Sequence, residues 1–212
     1  MMRRMIALVV VVVALAGLVA GPAVAERRVA LVVGNGKYTH EGLLPNPAND
    51  ARAIAAALKR IKFDDVQVVL DGDLKTLQSA LAAFARSADS ADLALVYYSG
   101  HGIEVDGQNY LLPTDARLAE AADVDFETVS LDLVLRAADR AGRVKMIVLD
   151  ACRNNPFQAR MLQRQGRRSV GRGLAAPPAS GTGMLVAYAA RAGTTADDGP
   201  AGGNACGQHL QL

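Results

Sequence analysis

A chain of 212 residues, 51% hydrophobic and 21% charged, is long enough for one globular domain with a sizeable core and leaves little room for a second. A formal net charge of +2 provides no field for nucleic acid, and a chain without Trp and with 4% aromatic residues has no platform on which bases could stack. Nucleic acid is therefore not expected as a partner.

The first segment is set aside from the fold. Arg3 and Arg4 precede an apolar run from Ile6 to Ala20, and Ala23-Val24-Ala25 then forms a small-x-small cleavage site ahead of Glu26. This layout predicts a signal peptide over residues 1–25, with a mature domain over 26–212 that is exported to a periplasm or secreted. An anchor is the alternative, but the run is short against the roughly 20 residues of a membrane span. Contact with the membrane is then transient, through the signal peptide alone.

Arg28–Gly34 reads as a buried strand. Over residues 47–61, Ala51, Ile54, Ala55, Leu58 and Ile61 recur with a helical period. A second strand is expected over residues 66–70. Asp73 should then cap a helix whose apolar stripe is Leu74, Leu77, Leu81, Phe84 and Ala88. Residues 93–98 form a third strand, ending at Ser99-Gly100-His101-Gly102. A small hairpin follows over 103–112, centred on Asp106-Gly107. Ser130 caps a helix through Ala141, and a fourth strand over 144–149 runs into Asp150-Ala151-Cys152. Residues 154–183, rich in Arg, Gly, Pro and Ser, read as a long loop without periodicity, and a fifth strand is expected over 184–189. Strands alternating with helices predict an α/β fold, a mainly parallel sheet flanked by helices.

In such sheets, sites form beyond the carboxyl ends of strands. His101 is expected just past the third strand and Cys152 just past the fourth, with Asn49 and Asp50 opening the first helix. Glycines on both sides of His101 suit a backbone that approaches a substrate closely. A thiolate at Cys152 can attack a carbonyl while the His101 imidazole manages the protons. Backbone N–H groups of Gly102 and Cys152 are the candidate oxyanion donors. Asp150, two residues before Cys152 along a strand, can share its face. A carboxylate at the end of a buried strand is also costly without a role.

Other readings stand beside these. The two cysteines, Cys152 and Cys206, could form one disulfide, or Cys152 could be a buried thiol. Asp50 could serve only the helix dipole, and His101 could be a satisfied strand-end histidine. His40 and His209 read as surface residues. Gly34-Asn35-Gly36 lacks the third glycine of a dinucleotide fingerprint. The arginines between Arg160 and Arg172 form a solvated loop or a self-cleavage segment. No cofactor and no metal site is expected.

Tyr97-Tyr98-Ser99-Gly100-His101-Gly102 and Val148-Leu149-Asp150-Ala151-Cys152-Arg153-Asn154-Asn155-Pro156 resemble the two signature blocks of caspase-domain proteins (peptidase C14), in particular exported bacterial members of the metacaspase or orthocaspase type. The segments from Ala30 to Asn35, from Leu44 to Ala51 and from Asn109 to Asp115 resemble the same family, so that the likeness covers about residues 28–199. The resemblance implies a caspase-haemoglobinase fold and a cysteine endopeptidase with Cys152 as nucleophile and His101 as base. It also implies an acidic substrate-binding pocket lined by Asp50, Ser99 and Asp150, which would accept a protein or peptide with a basic P1 residue. Pro47 departs from the pattern, since metacaspases often carry Cys there. The last residues, 204–212, do not resemble the family's continuation, so the domain is expected to be cut short after about 199, and a bridge from Cys206, in this unmatched tail, to Cys152 is not expected. The alternative from another class is a non-catalytic caspase-like interaction module.

Overall fold

The computed structural model describes residues 26–152, 157, 158, 161, 169, 170, 174, 175 and 183–188. Along the chain run β1 (Arg28–Gly34), α1 (Pro47–Arg60), β2 (Asp65–Leu70), α2 (Leu74–Ala88), β3 (Leu93–Val105), β4 (Gln108–Leu111), a 3-10 turn (Ala121–Asp123), α3 (Val124–Glu127), β5 (Val129–Ser130), α4 (Leu131–Ala138), β6 (Val144–Cys152) and β7 (Met184–Tyr188). Parallel pairing gives the order β2-β1-β3-β6-β7, and the far end of β3 pairs antiparallel with β4, which pairs with β5. The expected α/β architecture, a mainly parallel sheet flanked by helices, is what the chain forms. The order reverses between β1 and β3, and it is outside the carboxyl ends of such strands that open α/β sheets bind ligands.

Alternation along the strands feeds two cores. Ala30, Val32 and Tyr97 face α1 and pack with its Ala51, Ala55 and Leu58. Val29, Leu31, Val33, Val96, Tyr98, Ile147 and Leu149 face the other way, against Leu77, Leu81 and Phe84 of α2 and Val134 and Ala137 of α4. Each fully buried aliphatic side chain in these layers stabilises the fold by roughly 2 kcal/mol. The helix starts follow the expected chemistry: Asp73 Oδ1 accepts from the Thr76 N–H at 2.8 Å, and Ser130 Oγ from the Leu133 N–H at 3.3 Å.

Four local expectations are corrected. The third strand does not stop at residue 98. It runs 13 residues to Val105, so the hairpin is its own extension. Asp106 and Gly107 close that hairpin with φ of 53° and 80°, the two positive values of a type I′ turn. The helix capped by Ser130 ends at Ala138, because the Gly142 N–H turns back onto the Ala91 carbonyl at 2.9 Å. The short elements α3 and β5 precede it and were not expected.

The fourth correction concerns the segment after β6, most of which lies outside the described residues, as do Cys206 and His209. Phe157 and Met161, one helical turn apart, are buried with Ile103, Val105 and Leu112 in a separate cluster around the hairpin. Val170 bridges Val105. Two anchors four residues apart carry too little periodicity to be seen in a run of polar sequence.

Candidate active site

At their carboxyl ends β1, β3 and β6 are in line: Gly34 is the register partner of Ser99, and Ser99 of Asp150. Two residues further, His101 is the register partner of Cys152. Neighbouring strands lie about 4.8 Å apart, so the two backbones are one strand spacing from each other. Both residues were expected just past strand ends. Instead His101 lies inside β3, and Cys152, described here through its backbone, is the last residue of β6. The reason is the extension of β3, which gives β6 a partner for three residues beyond the expected end of each strand.

His101 is 8% exposed. Its backbone N–H donates to the Tyr38 hydroxyl at 2.7 Å, and its carbonyl accepts from the Tyr98 hydroxyl at 2.7 Å. The Tyr38 and His101 rings are 4.5 Å apart, tilted by 44°. Nδ1 makes no hydrogen bond among the described residues. Burial pushes the imidazole down to about 4, so at neutral pH it is uncharged.

The glycines beside His101 need another explanation than substrate approach. Gly100 has φ +153°, and a Cβ there would lie 2.7 Å from the Tyr38 hydroxyl and 2.8 Å from the Tyr98 hydroxyl. A Cβ on Gly102 would meet Leu174 at 2.9 Å. The space that these glycines leave is filled by the protein itself. Gly102 has a second property. The Leu112 N–H bonds to the His101 carbonyl at 3.1 Å, making these two a bonded pair. Alternation along the antiparallel ladder then makes Gly102 a non-bonded position, with its N–H directed away from β4.

Ser99 and Asp150 share the strand phase of Tyr97 and Val148, which pack on the α1 side of the sheet. The first turn of α1 rests directly on the end of β1. A Cβ on Gly34 would lie 2.3 Å from the Pro47 carbonyl oxygen and 2.7 Å from the Ala51 Cβ. Asp50, in this turn, is 2% exposed. An interaction with the helix dipole does not require such burial. Asp50, Ser99 and Asp150 thus come from three elements that meet at one end of the sheet. His40, by contrast, is partly exposed and accepts a bond from Arg117 Nε at 3.1 Å.

Three residues with a clear part here were not singled out by sequence. Tyr97 donates its hydroxyl to Asp150 Oδ2 at 3.1 Å. Tyr38 reaches His101 from a loop held in place by bonds from the Thr39 N–H to the Thr114 carbonyl and from the Leu44 N–H to the Gly36 carbonyl. Asn35, fully buried, accepts from the Gly72 N–H at 3.0 Å, donates to the Leu112 carbonyl at 3.0 Å, and bonds through its own N–H to the Ser99 carbonyl. The same corner is closed by Asp71. Its burial pulls the carboxyl upward, but the N–H groups of Gly36 and Lys37 and the Lys37 ammonium outweigh this and hold it below the usual carboxylate range. The sequence signals for Asn35 were its place between glycines at a strand end and in the family-like segment from Ala30 to Asn35. Among the described residues no group of His, Cys, Asp or Glu converges as a set of metal ligands.

A family model for the caspase domain, peptidase C14, matches residues 27–211. The chain belongs to the caspase-domain family. Its sequence is 32% identical over 92 residues to the human mucosa-associated lymphoid tissue lymphoma translocation protein 1, covering 43% of this chain and 11% of that protein. It is 24% identical over 132 residues to the paracaspase of Dictyostelium discoideum, covering 60% of this chain and 31% of the relative. The chain therefore spans a third or less of the length of these relatives. The mainly parallel sheet flanked by helices is consistent with the caspase-domain family, which suggests cysteine peptidase chemistry.

Proposed function

We propose that this caspase domain is a cysteine endopeptidase that cleaves after basic residues, with Cys152 as nucleophile and His101 as acid and base. The observation that carries the reading is the register of β3 and β6, which sets His101 opposite Cys152 and Ser99 opposite Asp150. In the first step the Cys152 sulfur attacks the scissile carbonyl carbon as its proton passes to the neutral imidazole of His101. The imidazolium then protonates the leaving amine, and the acyl group stays on sulfur. Water, deprotonated by His101, hydrolyses that thioester and restores the thiol. The Gly102 N–H, directed away from β4, and the Cys152 N–H would bind the oxyanion.

Asp50, Ser99 and Asp150 form the pocket for the P1 side chain. Arg there would make charge-assisted, bidentate bonds, and Lys would meet the charge with less complete geometry. A P1 Asp would meet like charge and be rejected. A carboxylate two residues before the nucleophile also opposes the negative sulfur, so a bound basic P1 residue would relieve that repulsion and assist attack. Residues 1–25 lie outside the described residues, and we propose that they direct export and are removed.

The test is a set of matched peptides with Arg, Lys or Asp at P1, assayed on residues 26–212 with Cys152→Ala as the control. The expected ratio of kcat/KM for Arg over Asp is at least about 10³. A ratio near one removes the acidic pocket and leaves the dyad standing. Equal turnover by Cys152→Ala removes the dyad.

A further inference from the structure

The catalytic reading concerns the His101 ring, yet the structure invests most of its bonds in the His101 backbone. Both polar groups of that one peptide segment end on phenols. The N–H donates to Tyr38 and the carbonyl accepts from Tyr98, each at 2.7 Å, and the two hydroxyls are 3.4 Å apart. The Tyr98 hydroxyl also accepts from the Leu112 N–H at 3.2 Å, so this phenol ties β3 to the strand end beside it. Tyr38 belongs to neither strand. It comes from the loop after β1, and its ring lies against the imidazole.

This arrangement sits where β3 changes partners. Residues up to His101 pair with β6, and from Gly102 onward the strand pairs with β4. At that transition the backbone passes through Gly100 at φ +153°, a conformation in which an L side chain is strained. A Cβ at Gly100 would strike both hydroxyls. The phenol pair thus occupies the space that the absence of a side chain at Gly100 leaves. At this change of partners the hydroxyl contact limits how far the histidine can tilt, and ring placement is what proton transfer to and from sulfur depends on.

We propose that Tyr38 is a positioning residue for His101, its hydroxyl fixing the backbone N–H of the histidine so that the imidazole holds one orientation toward the end of β6. The proposal rests on the peptidase reading for its consequence in catalysis, while the contact itself is independent of that reading. Tyr38 touches no substrate in this account and acts through His101.

The experiment uses Tyr38→Phe, which keeps the ring and the packing and removes the hydroxyl, with Tyr97→Phe as a phenol removed nearby without a bond to His101. Turnover of a P1 Arg peptide is measured, and amide hydrogen exchange is followed by NMR in a Cys152→Ala background, where no turnover is needed. Expected for Tyr38→Phe are a kcat lower by about 10- to 100-fold with KM within about twofold, and faster exchange confined to the His101 amide. Tyr97→Phe should leave the His101 amide unchanged. Wild-type kcat in Tyr38→Phe overturns the proposal, as does an unchanged His101 exchange rate or a loosening spread over the whole of β3 and β4. If the wild-type chain shows no cleavage dependent on Cys152, the peptidase reading falls, and the exchange measurement still decides whether Tyr38 holds His101.

Discussion

The Tyr97 hydroxyl donates to Asp150 Oδ2 across 3.1 Å, reaching two residues beyond Val148, its own register partner on β6. One face of the sheet thereby carries both a buried phenol and the carboxylate that it orients. In the proposed pocket Asp150 would meet the P1 guanidinium, and Tyr97 would fix which way the carboxylate faces. Tyr97→Phe should lower kcat/KM for P1 Arg peptides about tenfold, the value of one hydrogen bond to a charged group, with a smaller change for P1 Lys. Equal effects on Arg, Lys and an uncharged P1 would show that Tyr97 serves packing alone.

Cys152→Ala and His101→Ala should each abolish peptide cleavage while the fold persists. Because the two act in one step, the double variant should be no worse than either single. Additive losses in kcat, measured with one P1 Arg substrate, would argue against a dyad.

His101 also makes a prediction about stability. Burial holds it near 4, against 6.5 for an exposed histidine. Above pH 6.5 the imidazole is neutral in both folded and unfolded chains and contributes no pH dependence. Below 6.5 the unfolded chain takes up the proton first, so the native state loses stability until about pH 4. At about 1.4 kcal/mol per unit, the loss assignable to His101 is about 2 kcal/mol at pH 5. His101→Gln should remove this share, seen as a smaller fall in urea midpoint between pH 7 and pH 5. Identical falls in wild type and variant would mean that the imidazole is not excluded from water.

The proposed export predicts a mature chain. Material recovered from the periplasm or medium of a bacterial host should have the mass of residues 26–212, beginning at Glu26. Full-length protein confined to the cytoplasm would count against it.

Much of the fold was legible because its signals are local. β1, β2 and α2 fall within a residue of their expected bounds, since continuous apolar strands, a 3.6-residue stripe and the Asp73 cap are each written within a few positions. The run of β3 to Val105 was not legible. Ser99-Gly100-His101-Gly102 interrupts the apolar run and reads as a strand end, whereas pairing first with β6 and then with β4 carries the strand through it. The glycines around His101 show the same limit. Two glycines at a site read as room for a substrate, whereas Gly100 and Gly102 make room for Tyr38, Tyr98 and Leu174.

The residue order alone determined the alternation of strands and helices, the nomination of His101, Cys152, Asp50, Ser99 and Asp150, and the family resemblance, because propensity, periodicity and motif are carried by neighbours along the chain. Tertiary structure alone decided that His101 pairs in register with Cys152, that Tyr97 holds Asp150, and that Tyr38 reaches the His101 backbone. These pairs are brought together from far apart in sequence. Their contacts follow from sheet register and from the packing of a loop on a distant strand, and no local pattern of residues encodes either.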